Sequence, residues 1–149
     1  MRLLHYSREP FIFDPGAEYV QHTLDKPVGL WLSVEGEHDW AWWATEEAGW
    51  TDRLTHASEV VLEPDAKILR LASASDIDWL TREYAAPGPY SYIDWQRVAA
   101  TYQGIIIAPY IWQRRLDQTS RWYYTWDCAS GCIWDASAVA AVVPCEVSA

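Results

Sequence analysis

The stretch from Pro27 to Trp43 reads Pro-Val-Gly-Leu-Trp-Leu-Ser-Val-Glu-Gly-Glu-His-Asp-Trp-Ala-Trp-Trp, and its hydrophobic period changes halfway along. Val28, Leu30, Leu32 and Val34 alternate with Gly29, Trp31 and Ser33, the period of two that marks a strand. Glu35-Gly36 supplies a turn. From His38 the period becomes helical: Trp40, Trp43, Ala44 and Glu47 fall three or four apart, and Gly49 closes the segment. The chain must therefore run from a strand straight into a helix. The strand delivers Gly29, Trp31 and Ser33 to one face, and the helix rolls Trp40 and Trp43 back over it. Aromatic rings, a glycine and a hydroxyl converging at such a joint suit a flat, partly polar ligand. The competing reading for each tryptophan is a place in the core, since aromatic residues mostly serve burial.

Composition sharpens that choice. The chain has 149 residues, so it is expected to form one domain over residues 1–149. Eleven tryptophans and nine tyrosines exceed what a core of this size needs. Because Trp and Tyr carry a polar handle, the excess points to a wet, aromatic-lined cleft. The formal net charge of −10 disfavours a protein that coats duplex nucleic acid, which needs a basic face to displace counterions. The basic pair Arg114-Arg115 and the isolated Arg121 read as solvated loop charges. Cysteine occurs as Cys128, Cys132 and Cys145, an odd number without the Cys-x-x-Cys and paired histidines of a structural zinc site. Free thiols in a reducing cytosol are expected, and no metal. No apolar run is long enough to span a bilayer, and the first residues lack a signal-peptide core. A cytoplasmic protein without a membrane partner, monomeric or weakly oligomeric, is the expectation.

Along the chain, Arg2 to Tyr6 reads as a first strand that ends in His5-Tyr6-Ser7. His5 sits where a strand end presents side chains to a cleft; the alternative is a satisfied surface histidine. Pro10 and Pro15-Gly16 bracket Phe11-Ile12-Phe13 as a loop or edge segment. Ala17 to Leu24 is expected to be a short helix. Ser58 to Leu62 and Ala66 to Leu71 read as a hairpin or one bent strand around Glu63-Pro64-Asp65. Ser75-x-x-Asp78 is expected to cap a helix, with Ile77, Leu80 and Tyr84 inward, ended by Ala86-Pro87-Gly88-Pro89. Ser91-x-x-Asp94 opens another, with Trp95, Val98 and Tyr102 inward. Gly104 to Ala108 fits a strand buried on both faces. Arg121 to Trp126 reads as an aromatic strand, Asp127 to Gly131 as a turn, Cys132 to Trp134 as a resumed strand, and Ala138 to Val143 as the last. The sum is an α+β domain with six or seven strands and three helices.

Three pieces carry a resemblance: His5-Tyr6-Ser7, Gly29-Leu30-Trp31-Leu32-Ser33 followed by an aromatic helix, and Ser130-Gly131-Cys132-Ile133-Trp134-Asp135. Their order resembles the ADP-ribosyltransferase fold of the diphtheria-toxin and poly(ADP-ribose) polymerase type. The chain is also similar to small bacterial and phage proteins with a Lys-Pro-x-Gly-Leu-Trp motif, which Lys26 and Pro27 fit. The resemblance implies a split mixed sheet and NAD as the ligand. It places His5, Tyr6, Ser7, Gly29, Leu30, Trp31, Ser33 and Trp40 at the NAD site, with Trp42 or Trp43 where the family's nicotinamide-stacking tyrosine falls. It also implies that Val28 to Val34 lies beside the His5 strand, with His5 and Trp31 facing one cleft.

The chemistry explains the residue types. Cleaving the nicotinamide–ribose bond leaves a cationic ribose, so a site needs a flat aromatic slot, a ribose anchor and a carboxylate for the developing charge. The family supplies that carboxylate as a glutamate, and alignment on Trp134-Asp135 puts Ser130 in its place. Asp127, in the same turn, is the nearest substitute acid; Asp135 would lie beyond the strand. Two functions follow. One is an NAD-dependent transferase, toxin-like in kind, that modifies a macromolecular acceptor, a protein in preference to a nucleic acid. The other is a non-catalytic acidic interaction protein, such as an inhibitor or immunity factor that mimics nucleic acid.

Overall fold

A computed structural model describes residues 1–147, so the last two residues of the expected 1–149 domain lie outside the described part. The described residues form nine strands: β1 (Leu3–Ser7), β2 (Thr23–Leu24), β3 (Leu30–Val34), β4 (His56–Leu62), β5 (Ile68–Leu71), β6 (Ile93–Asp94), β7 (Gly104–Ile107), β8 (Ser130–Ile133) and β9 (Val139–Cys145). The α-helices are α1 (Trp40–Trp42), which widens into a π-helical turn over Trp43–Ala48, α2 (Ala74–Glu83) and α3 (Trp95–Ala99). Seven strands make one sheet in the order β5-β7-β8-β3-β1-β4-β9. β5 and β7 are parallel and the other neighbours antiparallel. β2 and β6 pair separately. The fold is α+β with a mixed sheet.

Side-chain alternation splits the core between the two faces of this sheet. Ile105 and Ile107 of β7 join Ile77 and Leu80 of α2, Trp95 and Val98 of α3, and Trp122 and Trp126. Ile106 joins Leu30, Leu32, Val34 and Ile133 on the opposite face. The run Gly104–Ile107 is thus buried on both sides, as its unbroken apolar character requires. Each fully buried isoleucine there contributes about 1.5–3 kcal/mol.

The sheet opens in its middle. β1 and β3 pair only at Leu3↔Val34 and Leu4↔Ser33. Beyond that point β1 stays with β4, through His5↔Ser58, Tyr6↔Ala57 and Ser7↔His56. β3 stays with β8 from Leu30↔Ile133 to Ser33↔Ser130. The two halves part, and a cavity forms between them.

Several local expectations are corrected. Ala17 to Leu24 is not a helix: Gln21 instead clasps Val28 through two side-chain bonds of 2.6 and 2.9 Å, and Thr23–Leu24 pairs with β6. β4 and β5 are neither a hairpin nor one bent strand, because β5 crosses to the far edge to lie parallel to β7. The N-cap of α2 is Ser73, two residues earlier than Ser75. Its Oγ accepts from Asp76 N at 3.2 Å while Asp76 Oδ2 accepts from Ala72 N at 2.8 Å, the same Ser-x-x-Asp spacing two residues earlier, with the carboxylate reaching the residue before the cap. Asp94 itself caps α3, and Ser91 donates to Thr119 O. Arg121–Thr125 is a 3-10 turn rather than a strand. The reason is that Trp122, Tyr123 and Trp126 are all buried, which alternation cannot achieve; their polar ends meet Thr81 Oγ1, Ile111 N and Asp25 O. Ser130 and Gly131, expected in a turn, are buried residues of β8. No helix of the described residues is long and apolar enough to cross a membrane.

Candidate functional site

The cavity at the divide measures about 380 Å³, within the usual range for a small-molecule site. Of the sequence-predicted residues, His5, Tyr6, Trp31, Ser33, Trp40, Trp43, Asp127 and Ser130 line it. Lys26, Trp50, Arg53, Trp126 and Cys128 line it too, without a local pattern in the sequence that marks them for it.

β1 and β3 place the first residues. By alternation Tyr6 lies on the same side as Trp31, whereas His5 lies with Leu3. His5 nonetheless reaches the same cavity, because the strands have parted and its Nδ1–H donates to Trp31 O across the gap at 2.8 Å. That bond fixes the tautomer and leaves Nε2 with a lone pair. Burial holds the imidazole pKa below its ordinary value, against the opposing pull of the carbonyl, so the ring is neutral. Phe11 braces it at 4.3 Å between centroids.

The helix supplies the facing wall. Asp39 caps α1, its carboxylate accepting from Trp42 N at 2.9 Å and Gly36 N at 3.1 Å. Ser33 Oγ accepts from Trp40 N at 3.0 Å, tying the helix to β3. The buried Ala44 seats the following turn, and Gly49, at φ 67°, ends it in the left-handed region. Tyr6 stacks on Trp40 at 5.8 Å. Trp43 meets Trp50 edge-on at 5.0 Å, and Trp31 meets Trp126 in the same way at 5.0 Å.

Four predicted residues do not line the cavity. Gly29 answers to packing: a Cβ there would lie 2.5 Å from Ile133 O and 2.8 Å from Cys132 Sγ. Leu30 is a core residue. Ser7 donates its hydroxyl to Glu9 O at 2.7 Å. Trp42 packs instead on His38 at 4.8 Å and Trp112 at 6.4 Å, so of Trp42 and Trp43 it is Trp43 that joins Trp40 at the cavity.

The charges are unevenly placed. Lys26 Nζ lies 5.5 Å from the Trp31 ring, and the Arg53 guanidinium lies 4.0 Å from the Trp50 ring. Among the described residues neither cation has a carboxylate within 4 Å. Asp127 is the one acid in the lining, and Arg115 Nη1 holds it at 3.4 Å. Arg115 also donates to Tyr110 Oη at 2.7 Å, and that hydroxyl donates to Trp126 O at 2.6 Å. The chain of bonds fixes the backbone that carries Asp127. Ser130 donates to Cys128 O at 3.1 Å. Burial pushes the Cys128 thiol up to about 12, so it is no nucleophile at neutral pH. The cavity is thus an aromatic box with a neutral histidine acceptor, two unneutralised cations and one tethered acid. No protein family, curated protein or solved structure matches the chain.

Proposed function

We propose that the cleft binds NAD and that the protein is an NAD-dependent ADP-ribosyltransferase acting on a macromolecular acceptor. The observation that carries this reading is a pair of unpaired cations in an aromatic cavity of a chain whose net charge is −10. Leaving Lys26 and Arg53 without carboxylates amid 21 acidic residues suits a ligand that is both flat and anionic. A dinucleotide has both properties. In this reading Trp31 and Trp43 take the nicotinamide, His5 Nε2 accepts a ribose hydroxyl, and Lys26 with Arg53 meets the diphosphate.

Transfer breaks the bond between ribose C1′ and the nicotinamide nitrogen, which keeps the electron pair. An acceptor oxygen or nitrogen bonds to C1′ and releases its proton. Asp127 supplies the negative charge that favours the cationic ribose. On the resemblance to that transferase family, Ser130 would stand in place of its glutamate; Ser130 is uncharged, and its hydroxyl is spent on Cys128 O. Asp127→Asn preserves shape and removes charge. It is expected to abolish label transfer from NAD in a single-time-point assay while leaving NAD affinity within a few-fold; full transfer by Asp127→Asn contradicts the assignment.

One observation favours the second reading, a non-catalytic interaction protein: Arg115 already compensates the only acid in the cavity. A Ser130→Glu variant that gains NAD hydrolysis, where the natural chain has none, supports that disarmed site.

A further inference from the structure

Beside the cleft, the segment between β7 and β8 exposes large side chains that the cavity does not use. Trp112 is 48% exposed, Leu116 75% and Tyr124 55%. Trp112 and Tyr124 are contiguous through Tyr110 and Arg115, and Leu116 follows Arg115 in the chain. Trp112 meets Tyr110 edge-on at 4.7 Å, and the Arg115 guanidinium lies 5.4 Å from the Tyr124 ring and 5.9 Å from the Tyr110 ring. His38 extends the ledge, its ring held between Trp42 at 4.8 Å and Trp112 at 5.2 Å. His38 has φ 56°, a strained conformation for a residue other than glycine, and its carbonyl accepts from Ala129 N at 2.8 Å beside the cavity floor. Arg115 then joins the ledge directly to Asp127.

Resting on the NAD reading of the neighbouring cleft, we propose that this ledge of Trp42, His38, Trp112, Arg115, Leu116 and Tyr124 docks the acceptor, and that the acceptor is a basic protein. Trp, Tyr and Arg around an apolar centre are the anchors of protein interfaces. Charge selects the partner. Arg114 and Arg115 are both spent on carboxylates, Asp78 and Asp127, so the ledge offers little to a phosphate backbone. The exposed Glu37 and the surplus of acids over the whole chain favour a cationic surface.

The test uses the full chain, NAD labelled in its adenylate phosphate, and a nuclease-treated bacterial lysate divided on a cation exchanger. Single-stranded oligonucleotide serves as a separate acceptor. An NAD-induced rise in Tm is recorded in parallel for every variant. Label in protease-sensitive material of the retained, basic fraction is expected. Trp112→Ala and Tyr124→Ala should each lower that labelling at least tenfold with the NAD-induced Tm rise unchanged, a combination that a merely unfolded variant cannot give. Label on the oligonucleotide, label confined to the unretained proteins, or undiminished labelling by both variants overturns the proposal. An NAD-induced rise with no label on protein or oligonucleotide overturns the acceptor proposal and the transferase reading together, and leaves only NAD binding standing. No rise in the natural chain removes the NAD reading and the acceptor with it.

Discussion

His5 carries one hydrogen bond that decides how its imidazole can act. With Nδ1–H given to Trp31 O, only Nε2 can meet a ligand, and only as an acceptor while the ring is neutral. Burial sets the folded pKa below the ordinary 6.5. As pH falls, the unfolded chain therefore takes up this proton first. The stability contributed by neutral His5 is complete above 6.5 and is lost as pH falls through the folded pKa. His5→Gln is expected to flatten the loss of stability on the acid side in urea titrations taken at successive pH values; an unchanged acid limb contradicts the burial argument. At Gly29 the constraint is steric. Gly29→Ala must push β3 away from β8, at about 1–3 kcal/mol, measurable by denaturant midpoint. His5, Tyr6, Trp31 and Ser33 were legible because they sit in short runs with a visible period. Lys26 and Arg53 were not, since a cation over a tryptophan ring depends on which strand or turn folds against which.

At the scale of elements, α1 is too short to hold itself and depends on two caps from neighbouring chain. Asp39 satisfies Trp42 N and Gly36 N, and Ser33 satisfies Trp40 N. Asp39→Ala is expected to cost about 0.5–2 kcal/mol. It should also weaken NAD binding measured by calorimetry, because Trp40 and Trp43 ride on this helix; tight binding in a destabilised variant would detach the helix from the site. The strand-to-helix switch at Pro27–Trp43 was readable from periodicity alone. The aromatic segment Arg121–Trp126 reads as a strand yet folds as a 3-10 turn over Arg121–Thr125, for a physical reason. Trp122, Tyr123 and Trp126 all go inward, each with its polar group bonded to a distant element, and tertiary packing of that kind overrides local preference. Of the eleven tryptophans, the core reading holds for Trp95, Trp122, Trp126 and Trp134, and Trp126 serves the cavity as well.

Over the whole molecule, the central fact is a sheet that divides after two paired positions of β1 and β3. The mixed α+β class was legible, because apolar runs and turns mark most of its strands; the number was not, since nine strands stand where six or seven are expected, and β2 and β6 are two-residue pairings that leave no periodic run. The order of strands was not: nothing local says that β5 must cross to β7, or that β9 must return to β4. The cavity exists only because of that order, which brings residues from Leu4 to Ser130 around one space. The same assembly concentrates Lys26 and Arg53 at a single place on an acidic chain. The measurement that tests this account most directly is the Tm of the natural chain and of a Lys26→Gln/Arg53→Gln variant with and without NAD. At a hundred times its dissociation constant a ligand stabilises by about 2.7 kcal/mol, so a rise of several degrees is predicted for the natural chain. It should be largely lost in the double variant, with the ligand-free Tm of the two chains similar. No rise in the natural chain, or an equal rise in both, would contradict it.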